Sequence, residues 1–306
     1  MQNYFSTINF RSKADFFKKM PQSLEELRSS EHRQGLLNRQ LGFALMFYEI
    51  SEPDTDHTRR LHRAITQQMA FNAVDLALPH VVDTIRDGGL KRIALDTPLR
   101  GALAIITQQT VEHLRERLRV FNLGDMPILL WAQGVKRHPQ EDYAEMYFRS
   151  GYDEQDIDDV YAIIADWGTA TGLTNEKAAQ DLYERGLPHE NIMSLSMTLA
   201  TKGEERLIRS CPGIHIEAAT RAGLNEVDYV DRIAHAQDGQ FVSVTPKDWG
   251  AKMWGMENPD NSRRNRLEEL KIFMRTFATT YRGFVSRDQL RQLYQYYYNK
   301  YVRAQD

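Results

Sequence analysis

The segment Asp166–Thr174 reads DWGTATGLT and joins an apolar run, VYAIIAD (Val160–Asp166), to an amphipathic stretch, Asn175–Arg185. Where a strand turns into a helix, successive backbone N–H groups and the helix N-terminus converge on one point and favour an anion there. The hydroxyls of Thr169, Thr171 and Thr174 add donors, and Gly172 supplies a position free to take positive φ or to let backbone approach closely. A carboxylate at the strand end, Asp166, is placed to accept hydrogen bonds from sugar hydroxyls while the turn cradles a terminal phosphate. The pattern is neither a Walker A loop, since no Lys precedes the Thr, nor a GxGxxG turn. Taken alone, it is equally compatible with an ordinary strand-to-helix turn built of small residues.

Other chemistry-bearing residues point nowhere as specific. The nine histidines show no HExxH or similar ligand spacing, so no metal site is expected. The acidic run DEQDIDD (Asp153–Asp159) reads as a solvated surface stretch. Cys211 precedes Pro212 with no nucleophile motif around it. The tract LRQLYQYYYNKY (Leu290–Tyr301) places Leu290, Leu293, Tyr297 and Tyr301 on one helical face, which suits packing on the core or on a subunit partner better than base stacking.

The elements that would position the loop follow from hydrophobic rhythm. Short apolar runs at Arg92–Asp96, Pro127–Ala132, Val160–Asp166, Asn191–Ala200 and Gly213–Ala219 alternate with helical stretches at Ala102–Leu118, Asn175–Arg185 and Gly203–Ser210. Continuous apolar strands separated by helices predict an α/β fold with a mostly parallel sheet flanked by helices. Before this core the chain reads as helical. Ser23 and Glu26 form a capping box, Gln34–Ile50 carries one apolar face, and a helix over Arg59–Leu78 stops before Pro79. After it come two helices, near Arg266–Tyr281 and Ser286–Arg303. The expected division is a helical segment over 1–78, an α/β core over 79–256 and a helical extension over 257–306.

The 306 residues suffice for a sizeable core, with 42% hydrophobic and 26% charged residues. A net charge of −3 gives no general attraction to nucleic acid or to anionic membrane and argues against both as partners. One cysteine excludes an intrachain disulfide. No stretch approaches the roughly 18 apolar residues of a membrane span, and the first twenty residues lack the features of a secretory signal. A cytoplasmic location is expected.

The loop also carries a resemblance. IIADWGTATGLT (Ile163–Thr174) is similar to the phosphoribosyl pyrophosphate (PRPP) loop of uracil phosphoribosyltransferases, D-x-x-x-A-T-G-x-[ST], with Asp166, Ala170, Thr171, Gly172 and Thr174 on the motif positions. Three further segments match in family order. TPLRGALA (Thr97–Ala104) resembles P-x-L-R-A-G and puts Arg100 on the family arginine. RAGLNEVDY (Arg221–Tyr229) resembles E-G-L-N-E. DWGAKMWG (Asp248–Gly255) resembles G-D-A-G-D-R-x-F-G. Phe47–Glu49 also resembles the end of the family's N-terminal helix. The likeness spans roughly residues 34–256.

The resemblance implies transfer of ribose 5-phosphate from PRPP to a ring nitrogen, with release of pyrophosphate. It gives Asp166, Thr169, Ala170, Thr171, Gly172, Leu173 and Thr174 the ribose and 5-phosphate. It gives the pyrophosphate to Arg100 and to Lys136 and Arg137, which lie in a mobile excursion, GVKRHPQEDY (Gly134–Tyr143). It gives the small-molecule acceptor to Asn225, Tyr229, Asp248, Trp249 and Gly250. Asp166 and Arg100 would carry catalysis, Mg2+ would arrive on PRPP rather than in a protein cage, and the chain would be a homo-oligomer. The sequence departs from the pattern where the base is read: Trp249 stands for the family Ala, Ala251 for the second Asp and Lys247 for the Gly. Two readings therefore stand, a transferase whose acceptor is not uracil and a PRPP- or nucleotide-sensing regulatory protein with weakened catalysis.

Overall fold

A computed structural model describes residues 21, 23–49, 56–99, 103, 105–138, 142–151, 157–169, 171–222 and 263–303. Its centre is a sheet of six strands: β1 (Arg92–Leu99), β2 (Ile128–His138), β3 (Tyr143–Ser150), β4 (Val160–Thr169), β5 (Ile192–Ala200) and β6 (His215–Ala222), in the order β3-β2-β1-β4-β5-β6. All neighbours are parallel except β2 and β3, which form an antiparallel pair. The chain thus has the α/β architecture that its apolar rhythm predicts, with one addition at an edge.

The helices are α1 (Leu24–Arg28), α2 (Ser30–Glu49), α3 (Asp56–Gly88), α4 (Gln108–Val120), α5 (Leu173–Glu184), α6 (Thr201–Ser210), α7 (Arg263–Thr280) and α8 (Arg287–Tyr297), the last continued by a π-helical turn, Tyr298–Arg303. One face of the sheet buries Leu95, Leu99, Ile163, Met193, Leu195 and Met197 against α3 and α4 and, over β2 and β3, against α7 and α8. The other face buries Ala94, Trp131, Ala162 and Ile164 against Ala178, Ala179 and Leu182 of α5. Parallel strands covered on both sides have no solvent face, which is why β1 and β4 are almost wholly buried and mostly apolar.

Three sequence expectations are corrected. The helix expected to stop before Pro79 runs on to Gly88. A mid-helix proline costs about 3 kcal/mol, but Val81, Val82 and Ile85 beyond it are buried in the core, and each such side chain returns about 1.5–3 kcal/mol. The division drawn at residue 78 therefore lies within one helix. The helix expected from Ala102 begins at Gln108, where the Thr107 hydroxyl accepts the Thr110 N–H at 3.2 Å. Of the mobile excursion expected over Gly134–Tyr143, residues 134–138 end β2 and Tyr143 begins β3, with Lys136 opposite Glu145 and His138 opposite Tyr143, while residues 139–141 lie outside the described residues. The pairing slips between Gly134 and Val135. A Cβ at Gly134 would lie 2.5 Å from the Tyr147 ring, so this β-bulge closes only over a glycine.

The C-terminal helices are part of the core. Leu293, Tyr297 and Tyr301 are buried, as the helical spacing of the tyrosine tract predicts. The Tyr297 hydroxyl meets that of Tyr147 on β3 at 2.9 Å, and the Tyr281 hydroxyl donates to Thr97 Oγ1 on β1.

Candidate functional site

The sheet opens at its carboxyl edge. β1 leaves β4 after the pair Asp96–Ile164, while it keeps β2 as far as Leu99–Gly134. β4 in turn stays with β5 as far as Thr169–Leu199. The strands therefore diverge between β1 and β4, where the connections leave in opposite directions. Ligands in open α/β sheets occupy the crevice at such a point. Asp166 stands two residues beyond the divergence, and the loop that follows β4 borders it.

Asp166 is half-buried, and its Oδ1 accepts the N–H of Trp167 at 2.7 Å. Burial pushes its carboxyl up to about 6; the charge of Arg137 and the N–H groups of Trp167 and Gly168 oppose that rise. At neutral pH the group is an anion held in a place that resists one, so it has much to gain from hydroxyl donors or from a cation.

Gly172 has φ of 78° and begins α5 as its N-cap. The reason is steric as well as conformational. A Cβ there would lie 2.9 Å from the Gly203 carbonyl oxygen and 3.1 Å from Cδ of Arg206. The turn is thus pressed against α6, and only glycine fits. Thr171 and Thr174 are half-buried on either side of it, and Leu173 is buried as the first residue of α5.

The Thr169 hydroxyl is engaged within the fold. Its Oγ1 lies 2.6 Å from Ser196 Oγ and accepts the Asn175 amide at 2.9 Å. The same amide donates to Ser194 Oγ at 2.9 Å. All four side chains are buried. In this conformation the Thr169 hydroxyl anchors the loop from beneath. Asn175, Ser194 and Ser196 were not singled out by the motif, although β5 carries a signal. In Met193–Ser194–Leu195–Ser196–Met197 the polar and apolar residues alternate, which places both serines on the face opposite the core.

The β2–β3 hairpin brings the expected cations to the same edge. Lys136 is exposed and pairs with Glu145 at 2.9 Å, and His138 Nε2 lies 3.3 Å from the same carboxylate. Lys136 and His138 together hold the Glu145 carboxyl below its ordinary range. Arg137 is exposed, and its charge reaches Asp166. Arg206 on α6 donates to Glu176 Oε2 on α5 at 2.8 Å and to Asp142 at the hairpin turn.

Below the crevice lies Asp96, fully buried on β1. Gln133 on β2 donates to its Oδ2, and burial, aided by the charge of Asp181, pushes its carboxyl up to about 8. It is a neutral acid at pH 7. The end of the acidic run, Asp159, is tied down by Arg92, whose Nε donates to Oδ1 at 2.6 Å. Cys211 is buried and its thiol is pushed up to about 12 by burial and by the charge of Glu176, which leaves it inert as a nucleophile.

Arg100, Ala170, Asn225, Tyr229, Asp248, Trp249 and Gly250 lie outside the described residues. Among the described residues no group of three or more His, Cys, Asp or Glu is arranged to hold a metal ion, and no helix is long and apolar enough to cross a membrane.

No protein-family model and no curated protein matches the chain. Among solved structures it is similar to the AQ2163 protein of Aquifex aeolicus, at 15% identity over 74% of this chain and 95% of that one, with a TM-score of 0.47. It is also similar to the hypoxanthine phosphoribosyl transferase of Trypanosoma cruzi, at 13% identity over 51% of this chain and 74% of that one, with a TM-score of 0.36. That enzyme in complex with its product IMP aligns at 13% identity over 51% and 75%, with a TM-score of 0.34.

Proposed function

We propose that the chain is a PRPP-dependent phosphoribosyltransferase, moving ribose 5-phosphate to a ring nitrogen of a base or base-like acceptor with release of pyrophosphate. The observation that carries this reading is the coincidence of two things at one crevice. Asp166 and the left-handed turn at Gly172 border the point where β1 and β4 part, and Arg137 acts on Asp166 from the hairpin two strands away.

In this reading the turn before α5 takes the 5-phosphate on its backbone N–H groups, and the Asp166 carboxylate accepts hydrogen bonds from the ribose hydroxyls. As the bond from C1 to the pyrophosphate oxygen lengthens, the ribose gains positive charge and the leaving group negative charge. Asp166 lies on the ribose side. The cations Arg100, Lys136 and Arg137 serve the leaving group. The acceptor nitrogen then bonds to C1 and gives up its proton. The protein forms no covalent bond with the ribose. Its contribution is positioning, charge and exclusion of the water that would hydrolyse PRPP. Mg2+ belongs to the substrate, on PRPP oxygens and water. The residues proposed for the acceptor are Asn225, Tyr229, Asp248, Trp249 and Gly250. Trp249 and Ala251 in that segment support an acceptor other than uracil.

The same departures support a second reading, a PRPP or nucleotide sensor with weakened catalysis. One experiment separates the two. The protein is incubated with PRPP, magnesium and a panel of nitrogenous bases, while pyrophosphate release and the PRPP-induced rise in melting temperature are both followed. Release with one acceptor supports the transferase. A melting shift without release from any acceptor supports the sensor. Neither signal would sink both.

A further inference from the structure

The geometry points to Arg206 as a positioning residue that locks the phosphate-binding turn and the β2–β3 hairpin into one unit, so that the turn and the hairpin cations are set at a fixed separation. This rests on the PRPP reading of the crevice. Arg206 lies on α6, outside the loop and hairpin motifs, and its side chain is only 9% exposed. Three contacts converge on it. Its Cδ lies where a Cβ on Gly172 would approach to 3.1 Å, so its stem forms part of the floor under the left-handed turn. Its Nη1 donates to Glu176 Oε2 at 2.8 Å, in the first turn of α5. Its Nη2 donates to Asp142 Oδ1, and Asp142 has φ of 50° at the residue where the hairpin re-enters β3.

The sequence positions make the coupling specific. Asp142 adjoins Tyr143, which pairs with His138, and the next pair along the hairpin is Arg137 with Ala144. Fixing Asp142 therefore fixes the strand end that carries Arg137. There is an electrostatic side as well. Glu176 suits the dipole of its own helix but faces an N-terminus meant for an anion. The guanidinium beside it removes that repulsion. A lysine could supply the charge but not the fork that reaches two carboxylates at once.

The test combines amide hydrogen exchange on the ligand-free protein with calorimetric binding of two probes, PRPP with magnesium and ribose 5-phosphate. The second probe lacks the pyrophosphate and so reads the turn alone. Asp142→Ala alters a side chain that is 68% exposed and leaves the core intact. It should speed exchange at Lys136–His138 and Tyr143–Glu145 but not at Asn175–Lys177. It should also weaken PRPP about fivefold with ribose 5-phosphate unchanged. Arg206→Ala should speed exchange in both segments and weaken both probes, with Arg206→Lys in between. If Arg206→Ala fails to fold, Asp142→Ala and Arg206→Lys decide. The inference is overturned if Asp142→Ala weakens both probes equally, or if the Arg206 variants leave exchange in the two segments unchanged. Should the unaltered protein bind neither probe, the PRPP reading fails on its own, and the exchange pattern still decides whether Arg206 couples the two segments.

Discussion

The charge of Arg137, at the end of β2, acts on the carboxyl of Asp166, on β4, although β1 runs between their strands. The reach is possible because β1 and β4 part after Asp96–Ile164 and leave the carboxyl edge open above them. An anion that burial disfavours and a cation that offsets part of the cost are thus held at the open carboxyl edge, on strands either side of β1.

Asp166→Asn should therefore stabilise the protein while destroying its ligand response. The carboxyl is raised from its ordinary value to about 6 in the folded state. Below the unfolded value both states are protonated and nothing is lost. Above about 6 both are ionised, and the folded state bears the full cost of the buried charge. The asparagine variant should melt higher than the parent at pH 7.5 and equally at pH 4, and PRPP should no longer raise its melting temperature. A variant that keeps the PRPP shift would remove Asp166 from the ribose site.

Gly172→Ala should be destabilising out of proportion to one methyl group. A left-handed conformation costs a non-glycine residue about 1–2 kcal/mol, and here the added carbon also meets the Gly203 carbonyl at 2.9 Å. Backbone oxygen gives way less readily than a side chain, so the turn must shift. Urea titration should show a lowered midpoint at unchanged slope, and calorimetry should show weaker ribose 5-phosphate binding. A midpoint equal to that of the parent would mean that the turn relaxes freely.

The sequence made β4, its turn and α5 legible because an unbroken apolar run, a glycine and an amphipathic helix follow one another without competing signals. It concealed β3 for a physical reason. Tyr143–Ser150 is an edge strand, half polar, and part of its apolar surface is covered by Tyr296 and Tyr297 from the far end of the chain. Pro79 misled because local propensity says stop, whereas burial of Val81, Val82 and Ile85 says continue. Within the site, Asp166 and Gly172 were visible from residue type. Arg206 was not, since its partners Asp142 and Glu176 lie 64 and 30 residues away, and nothing local marks a surface-helix arginine as buried.

Asp96 makes stability fall as pH rises. Its carboxyl ionises at its ordinary value in the unfolded chain but only at about 8 when folded. Between those limits the folded state holds one proton more, so stability declines across the whole interval and then levels off. Asp96→Asn removes the titration and keeps an oxygen for the Gln133 amide. The variant's advantage in melting temperature should be small at pH 5 and should grow steadily to pH 8. An advantage that is constant with pH would show that Asp96 is already ionised in the fold.

The stacked pair His80 and His215 sets the opposite limit, at low pH. Their ring centroids lie 3.4 Å apart with planes 11° from parallel, one on α3 and the other on the edge strand β6. Burial lowers His215 to about 4, and the charges of His80, Arg33 and Arg221 push the same way. Burial also lowers His80, against the opposing charges of Asp83 and Glu217. The folded state therefore favours neutral rings, and the unfolded chain takes up protons first. The stability this pair supports is complete above about pH 6.5 and is lost as pH falls towards 4. His215→Gln cannot titrate, so its melting temperature should fall less steeply than the parent's between pH 6.5 and 4.5. Protection of the β6 amides in the parent should weaken over the same interval, because β6 is the sheet edge that the stack holds against α3. Parallel melting curves for parent and variant would place the acid sensitivity elsewhere.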